Sequence, residues 1–300
     1  MYPINDIRKG VAKGDFLLLA KAISFIENKD QGSTAFLESL EPANVPIIGI
    51  TGPPGAGKST IVSSLIEKWV ADHKRIAVLS VDPSSPFHKG AILGDRIRMK
   101  DWYLNPNVFI RSLATRGHLG GLISGMIELT TLLQSVGFDI IIVETVGVGQ
   151  SEIEVASVAD TTVVVLVPEA GDEVQMMKSG LMEVADIFVV NKSDRPDATA
   201  FGNHIKQILL EGMNEQSMPP VINTIATQQI GIDDLADAVL KNQSLPLTLT
   251  RKKQLMLTKI YQLIAAEKMR QLDQEKIETE LSEAIEKKHF NIFEFSKQFF

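Results

Sequence analysis

The chain of 300 residues contains no cysteine. Disulfides, thiolate nucleophiles and cysteine-ligated metal centres are therefore excluded. Its five histidines, at 73, 88, 118, 204 and 289, show no clustered ligand spacing, which also speaks against a nickel- or zinc-handling role. Long apolar runs are lacking. Stretches such as Thr161 to Pro168 are strand-sized, far short of the roughly 20 residues that span a bilayer. The opening MYPINDIRKG has no hydrophobic region of the kind a signal peptide carries. Positive charge is in deficit: 30 Lys and Arg against 37 Asp and Glu give a net charge of −7. That balance disfavours a nucleic-acid coat or an anionic membrane surface as partner. Internal repeats and low-complexity tracts are missing too. What remains is an ordinary globular composition, 44% hydrophobic and 22% charged, sufficient for a sizeable core. The expected setting is the cytoplasm.

Residues 4–28 carry apolar positions at helical spacing and predict two short helices broken near Gly14. Residues 29–45 read as a polar link. Seven short β-branched runs follow: VPIIGIT, RIAVLSVD, NVFIRS, FDIIIVET, TTVVVLVP, DIFVVNK and PPVINTIA. Amphipathic stretches separate them, and the runs are almost wholly apolar, as strands covered on both faces should be. The fold expected is α/β, with a doubly wound, mostly parallel sheet and helical extensions at both ends. The divisions expected are 1–44 (helical extension), 45–245 (α/β domain) and 246–300 (helical arm). The arm has helical spacing with neither Gly nor Pro from 248 to 290, and it ends in the aromatic FNIFEFSKQFF. That end reads either as a helix packed on its own domain or as a subunit contact.

The strongest motif is Gly52-Pro-Pro-Gly55-Ala56-Gly57-Lys58-Ser59-Thr60. It matches G-x-x-x-x-G-K-[ST], follows a predicted strand and opens a helix with Ile61, Leu65 and Trp69 on one face. Average composition gives this pattern by chance about once in a hundred chains of such length, so its context makes it a phosphate loop. Glycines let backbone N–H groups converge on phosphate oxygens at a helix N-terminus. Lys58 is placed to reach the β- and γ-phosphates, and Ser59 to offer its hydroxyl to Mg2+.

A second motif selects the base. Asn191-Lys192-Ser193-Asp194 closes the run DIFVV. A carboxylate at Asp194 can accept from guanine N1–H and N2–H2 together, a donor pair that adenine lacks. The Lys192 stem can lie on the base plane. A loop near Thr224-Ile225-Ala226 is expected to offer a backbone N–H to guanine O6. GTP and GDP are thus the expected ligands, with Mg2+, and residues 45–245 are expected to be a GTPase domain of P-loop NTPase fold.

FDIIIVET ends in Glu144-Thr145, with Gly147 beyond. This layout matches a D-x-x-G switch with Glu in place of Asp: the carboxylate serves Mg2+ and the glycine senses the γ-phosphate. Val148 stands where Ras-like proteins have the glutamine that orients water. Slow intrinsic hydrolysis is therefore expected, with Gln150 or a partner supplying help. Asp82 and Asp95 are further Mg2+-site candidates, although each alone also fits a loop-capping carboxylate. Magnesium keeps several waters, so Ser59 and one direct carboxylate suffice. Two more loops gather at predicted strand ends: Thr115 to Gly121, with His118 as a base or a helix-terminal hydrogen-bonder, and Gly171 to Lys178.

Taken in order, GPPGAGKST, VDPSSPF, ILGDR, IRSLATRGHLGGL, VETVGVGQSE, GDEVQ and VVNKSD resemble the MeaB/ArgK family of P-loop GTPases, across roughly residues 5–245. The resemblance implies a GTP-dependent chaperone that gates adenosylcobalamin delivery to a cobalamin-dependent acyl-CoA mutase, of the methylmalonyl-CoA mutase type, and protects it. It implies a homodimer formed through the C-terminal arm. It also implies that Asp172, Glu173, Gln175 and Lys178 belong to a switch loop coupled to the mutase, and that Lys58, Asp95, Glu144, Gly147 and Gln150 serve hydrolysis. The chain departs from the family at His88-Lys89, Glu169 and Thr227-Gln228-Gln229. The alternative function is a P-loop kinase or ATPase linked to transport of lysine, arginine or ornithine.

Overall fold

The computed structural model describes residues 4–82, 99–114, 125–145, 151–168, 180–212, 218–244, 249–286 and 290–299. The chain divides into two compact units, Met1–Leu247 and Thr248–Phe300. In the first, β1 (Ile47–Thr51), β2 (Ile76–Asp82), β3 (Val108–Ala114), β4 (Ile140–Glu144), β5 (Thr161–Leu166), β6 (Ile187–Val190) and β7 (Val221–Asn223) form one sheet. They run in the order β3-β2-β4-β1-β5-β6-β7, and every neighbouring pair is parallel. Each of the seven apolar runs has become a strand. Leaving β1, the chain crosses to β2 and returns to place β4 between them. The strand order therefore reverses beside β1, and ligands of doubly wound sheets bind at such a point, outside the strands' C-terminal ends.

Three helices precede the sheet: α1 (Ile4–Ala12), α2 (Phe16–Glu27) and α3 (Ser33–Glu38). Among the described residues six more follow in the same unit: α4 (Lys58–Ala71), α5 (Met126–Gln134), α6 (Ser151–Glu154), α7 (Leu181–Val184), α8 (Ala198–Gly212) and α9 (Ile232–Ser244). Strand alternation sorts the core into faces. Ile48, Ile50, Val78 and Ile142 pack with Ile61, Leu65 and Trp69 of α4 and with Leu235 and Val239 of α9. Ile47, Leu79, Ile141 and Val143 pack on the other face with Leu129 and Leu133 of α5. Val164, Leu166 and Phe188 join Phe201 and Ile205 of α8.

The N-terminal helices belong to this core. Ile7, Leu19, Ile23 and Phe36 share a cluster with Ile141 and Val143. The stretch read as a polar link contains α3, whose Phe36 is fully buried. One apolar ring in a polar segment leaves no periodicity to detect, yet it carries a large burial energy. Asp15 caps α2 by accepting from the Leu17 and Leu18 N–H groups at 2.9 and 3.0 Å. Arg75, just before β2, donates to the Gly137 carbonyl at 3.1 Å and lies 5.4 Å from the centre of the Phe138 ring.

Register is fixed by one device used three times. Asp139, Asp160 and Asp186 each stand one residue before β4, β5 and β6. Their carboxylates accept the backbone N–H of Arg75 (2.7 Å), just before β2, and of Ile47 (2.9 Å) and Thr162 (2.9 Å) on the neighbouring strands β1 and β5. Each aspartate's own N–H returns to that residue's carbonyl, at 2.8, 2.8 and 2.9 Å. Both groups at the end of each ladder are thereby satisfied, and the opposite, C-terminal edge is left for the site.

The second unit comprises α10 (Leu249–Arg270), α11 (Gln274–Ile285) and α12 (Ile292–Ser296). Asp273 and Asn291 cap α11 and α12. Phe295 packs its ring against Phe290 and Phe299. On α10, Met256, Ile260 and Ile264 repeat every four residues on one exposed line. Among the described residues no helix is long and apolar enough to cross a membrane.

Candidate functional site

The phosphate loop connects the central strand β1 to α4, and its glycines are sterically required. Gly52 has φ +135°, and a Cβ there would overlap the Val165 carbonyl oxygen. Gly57 has φ +89°, and a Cβ there would overlap the Asn191 amide. Any L-residue would strain the backbone at both positions and displace a neighbour. Gly55 stands exposed at the tip, Ala56 is fully buried, and Thr60 is half-buried in the first turn of α4.

Lys58 and Ser59 are both 6% exposed. A buried ammonium needs acceptors. Lys58 Nζ finds two in the loop itself, the carbonyls of Gly52 (2.8 Å) and Pro53 (3.0 Å). The cation is thus folded back onto the loop's own carbonyls. Ser59 Oγ donates to Glu144 Oε1 at 2.6 Å, and Glu144 is 2% exposed at the end of β4. Sequence positions 85 residues apart meet because β1 and β4 are neighbours in register, with Ile50 opposite Glu144.

Asn191 joins the base side to this loop. Its Nδ2 donates to the Ala56 carbonyl at 2.9 Å, and its Oδ1 accepts from Thr224 Oγ1 at 3.1 Å and from the Ala226 N–H at 3.3 Å. The residue is 3% exposed and its amide is spent on the protein. It acts as a tie between the phosphate and base loops. In the loop expected to offer a backbone N–H to guanine O6, that of Ile225 is committed to the Ile230 carbonyl at 3.0 Å and that of Ala226 to Asn191 Oδ1 at 3.3 Å. Lys192 takes φ +56°, a conformation that costs a non-glycine residue about 1 kcal/mol or more and marks a constrained turn. Asp194 is exposed at that turn.

Asp82 closes β2, with its side chain outside the described residues. Asp95, Gly147, Gln150, Asp172, Glu173, Gln175, Lys178 and His118 also lie outside them. The structure therefore brings together Lys58, Ser59, Glu144, Asn191 and Ala226, with Lys192 and Asp194 on the adjoining turn.

Several participants escaped the sequence reading. Ser64, two turns along α4, donates to the Ala226 carbonyl at 3.0 Å and fixes the base loop from below. Thr224 anchors Asn191. Thr145 Oγ1 donates to Thr51 Oγ1 at 3.0 Å between the ends of β4 and β1. Trp102 Nε1 donates to Ser63 Oγ at 3.0 Å. Gln229, with φ +59°, hydrogen-bonds Glu67 of α4. Lys68 bridges Asp233 (3.3 Å) and Asp72 (3.6 Å); the hydrogen bond to Asp233 and then the charge of Asp72 raise its pKa above the ordinary lysine value. The one available signal was a threonine at or just beyond a strand end, at Thr51, Thr145 and Thr224.

Residues 19–285 match the family described as "Methylmalonyl Co-A mutase-associated GTPase MeaB". A Pyrococcus horikoshii homologue is 44% identical over 245 residues, covering 80% of this chain and 77% of its own. GTPase ArgK of Escherichia coli is 37% identical over 247 residues, covering 79% and 74%. The mitochondrial methylmalonic aciduria type A homolog of Mus musculus is 35% identical over 257 residues, covering 79% of this chain and 62% of the mouse protein. Among solved structures, the LAO/AO transport system kinase superposes with a TM-score of 0.64 at 27% identity, covering 95% of this chain and 87% of that one.

Proposed function

Because this chain belongs to the MeaB family of P-loop GTPases, we propose that it is a GTP-driven chaperone of an adenosylcobalamin-dependent acyl-CoA mutase, gating cofactor delivery and protecting the enzyme. The observation that carries the site is the buried Ser59–Glu144 pair, 2.6 Å apart beside Lys58. A hydroxyl and a carboxylate oxygen are hard donors of the type magnesium prefers. When bound, Mg2+ would neutralise charge between the β- and γ-phosphates.

The chain's own residues do the rest. Lys58 would exchange its two carbonyl partners for β- and γ-phosphate oxygens. Glu144 orients the Ser59 hydroxyl. Asn191 holds the phosphate loop against the base loop, so that occupancy of one stiffens the other. Asp194 would pair with the guanine N1–H and N2–H2 edge, Lys192 would flank the base, and Ala226 would offer its N–H to O6. Gly147 would sense the γ-phosphate, and Gln150 or a partner would supply the help with the attacking water that Val148 cannot. Asp95 and Asp82 would complete the acids around the metal, while Asp172, Glu173, Gln175 and Lys178 would carry the state of the nucleotide to the mutase. With Val148 in place of a water-orienting glutamine, hydrolysis is slow until the partner assists.

The helical arm would form a homodimer through the line Met256, Ile260 and Ile264 on α10. The protein acts in the cytoplasm, with neither membrane nor nucleic acid as partner. The test is GTP hydrolysis with and without an adenosylcobalamin-dependent acyl-CoA mutase from the same source. A saturable acceleration is expected. No response from any candidate mutase would remove the chaperone reading. Transfer of labelled γ-phosphate to a protein acceptor would replace it with a kinase.

A further inference from the structure

β1 and β4 are apolar along their length until the last rung. After Ile47, Ile48, Gly49 and Ile50, β1 ends in Thr51; after Ile140 to Val143, β4 ends in Glu144, and Thr145 follows. The two threonines meet. Thr145 Oγ1 donates to Thr51 Oγ1 at 3.0 Å, and the residues are 2% and 0% exposed. The Thr145 N–H donates to the Ile50 carbonyl, also at 3.0 Å. A valine pair would fill the same volume and suit a strand equally well without burying two hydroxyls. Packing alone therefore does not account for threonine at both positions.

Their place in the chain does. Thr51 immediately precedes Gly52, where the phosphate loop begins. Thr145 immediately follows Glu144, whose carboxylate accepts the Ser59 hydroxyl at 2.6 Å. Successive side chains of a strand point to opposite faces. Glu144 reaches toward α4 on one face, and the threonine pair pins the same stretch of backbone from the other. A strand end held from both faces cannot tilt or slide without breaking a buried hydrogen bond, and satisfied buried networks fix geometry in this way.

We propose that the Thr51–Thr145 hydroxyl pair is a positioning device for the nucleotide site, setting Glu144 against Ser59 and thereby tuning nucleotide retention and hydrolysis. The inference rests on the reading of Ser59 and Glu144 as the magnesium-site residues. Neither threonine touches the nucleotide. Both act through the carboxylate.

The experiment compares Thr145→Val, Thr145→Ser, Thr51→Val and the double valine variant in the full-length protein. Three readouts are taken: release of a fluorescent GDP analogue with Mg2+ and with EDTA, the Mg2+ dependence of GTP hydrolysis, and thermal unfolding. Each single valine variant is expected to speed release in Mg2+ and to lower kcat by roughly fivefold to tenfold, the scale of one buried hydrogen bond. Release in EDTA should stay within about twofold, Thr145→Ser should restore wild-type behaviour, and the double variant should be no worse than either single one, because the two hydroxyls act as a unit. Thr145→Ser as impaired as Thr145→Val, additive losses, or a loss seen only in melting would overturn the proposal alone. Wild-type release that ignores Mg2+ would overturn the underlying site reading, and the proposal with it.

Discussion

Replacing Asn191 by alanine tests whether this residue is a tie between loops or a reader of the base. The substitution removes bonds of 2.9, 3.1 and 3.3 Å to Ala56, Thr224 and Ala226. Ala56 and Thr224 are 0% exposed and Ala226 is 4% exposed, so water does not readily replace the lost partner. Each buried hydrogen bond contributes about 0.5–1.5 kcal/mol, and orphaned partners push the cost toward the upper end, giving about 2–4 kcal/mol. For a unit spanning 1–247, each kcal/mol lowers Tm by about 2–4 °C, so a fall of roughly 5–15 °C is expected in thermal unfolding without nucleotide. GDP affinity should drop about tenfold or more in parallel, because the phosphate loop and the base loop lose their common anchor. Asp194→Asn in the same motif is the control: the residue is exposed, and Tm should move by about 1 °C at most. An Asn191→Ala protein that melts within about 2 °C of wild type would refute the reasoning, since a base reader need not stabilise the empty protein.

Three further outcomes are expected. Asp194→Asn should weaken GTP binding by about a hundredfold or more while xanthosine triphosphate is retained, because the substituted amide pairs with a base edge that accepts where guanine donates; competition with a fluorescent nucleotide checks this, and equal loss of both would undo the assignment. Asp160→Ala should cost about 1–3 kcal/mol, because the Ile47 N–H loses the acceptor it holds at 2.9 Å; nucleotide affinity should be unchanged, since this clamp closes the N-terminal edge of the sheet, away from the site. Arg75→Ala should cost about 1–2 kcal/mol by releasing the Gly137 carbonyl and the Phe138 ring, with GDP release again unaffected.

What could be read in advance depended on where the signal resided. The seven strands were visible because each is a short, largely apolar run between polar or glycine-rich segments; the five inner strands are buried on both faces, while the edge strands β3 and β7 are partly exposed. The phosphate loop was visible because its backbone requires glycine at fixed spacing. The short helix α3 was missed because its only strong signal is Phe36, and the role of Asn191 because the motif suggests contact with the base. Ser64 and Thr51 gave little signal, since a serine in a helix or a threonine in a strand is commonplace until its partner is known.

The sequence by itself determined the α/β class, the order of the strands along the chain, the phosphate loop and the guanine-type base motif. These follow from local rules: side-chain period, backbone sterics at glycine, and the hydrogen-bonding pattern of a nucleotide. Tertiary structure alone decided which strands are neighbours, and through that which distant side chains touch. β4 lies beside β1, so Glu144 meets Ser59 and Thr145 meets Thr51. β6 lies one strand beyond β5, so Asn191 can reach Ala56. Such pairings carry no local signature, because a buried hydrogen bond between residues 85 or 135 positions apart is specified by the packing of the whole sheet and not by either segment that contributes to it.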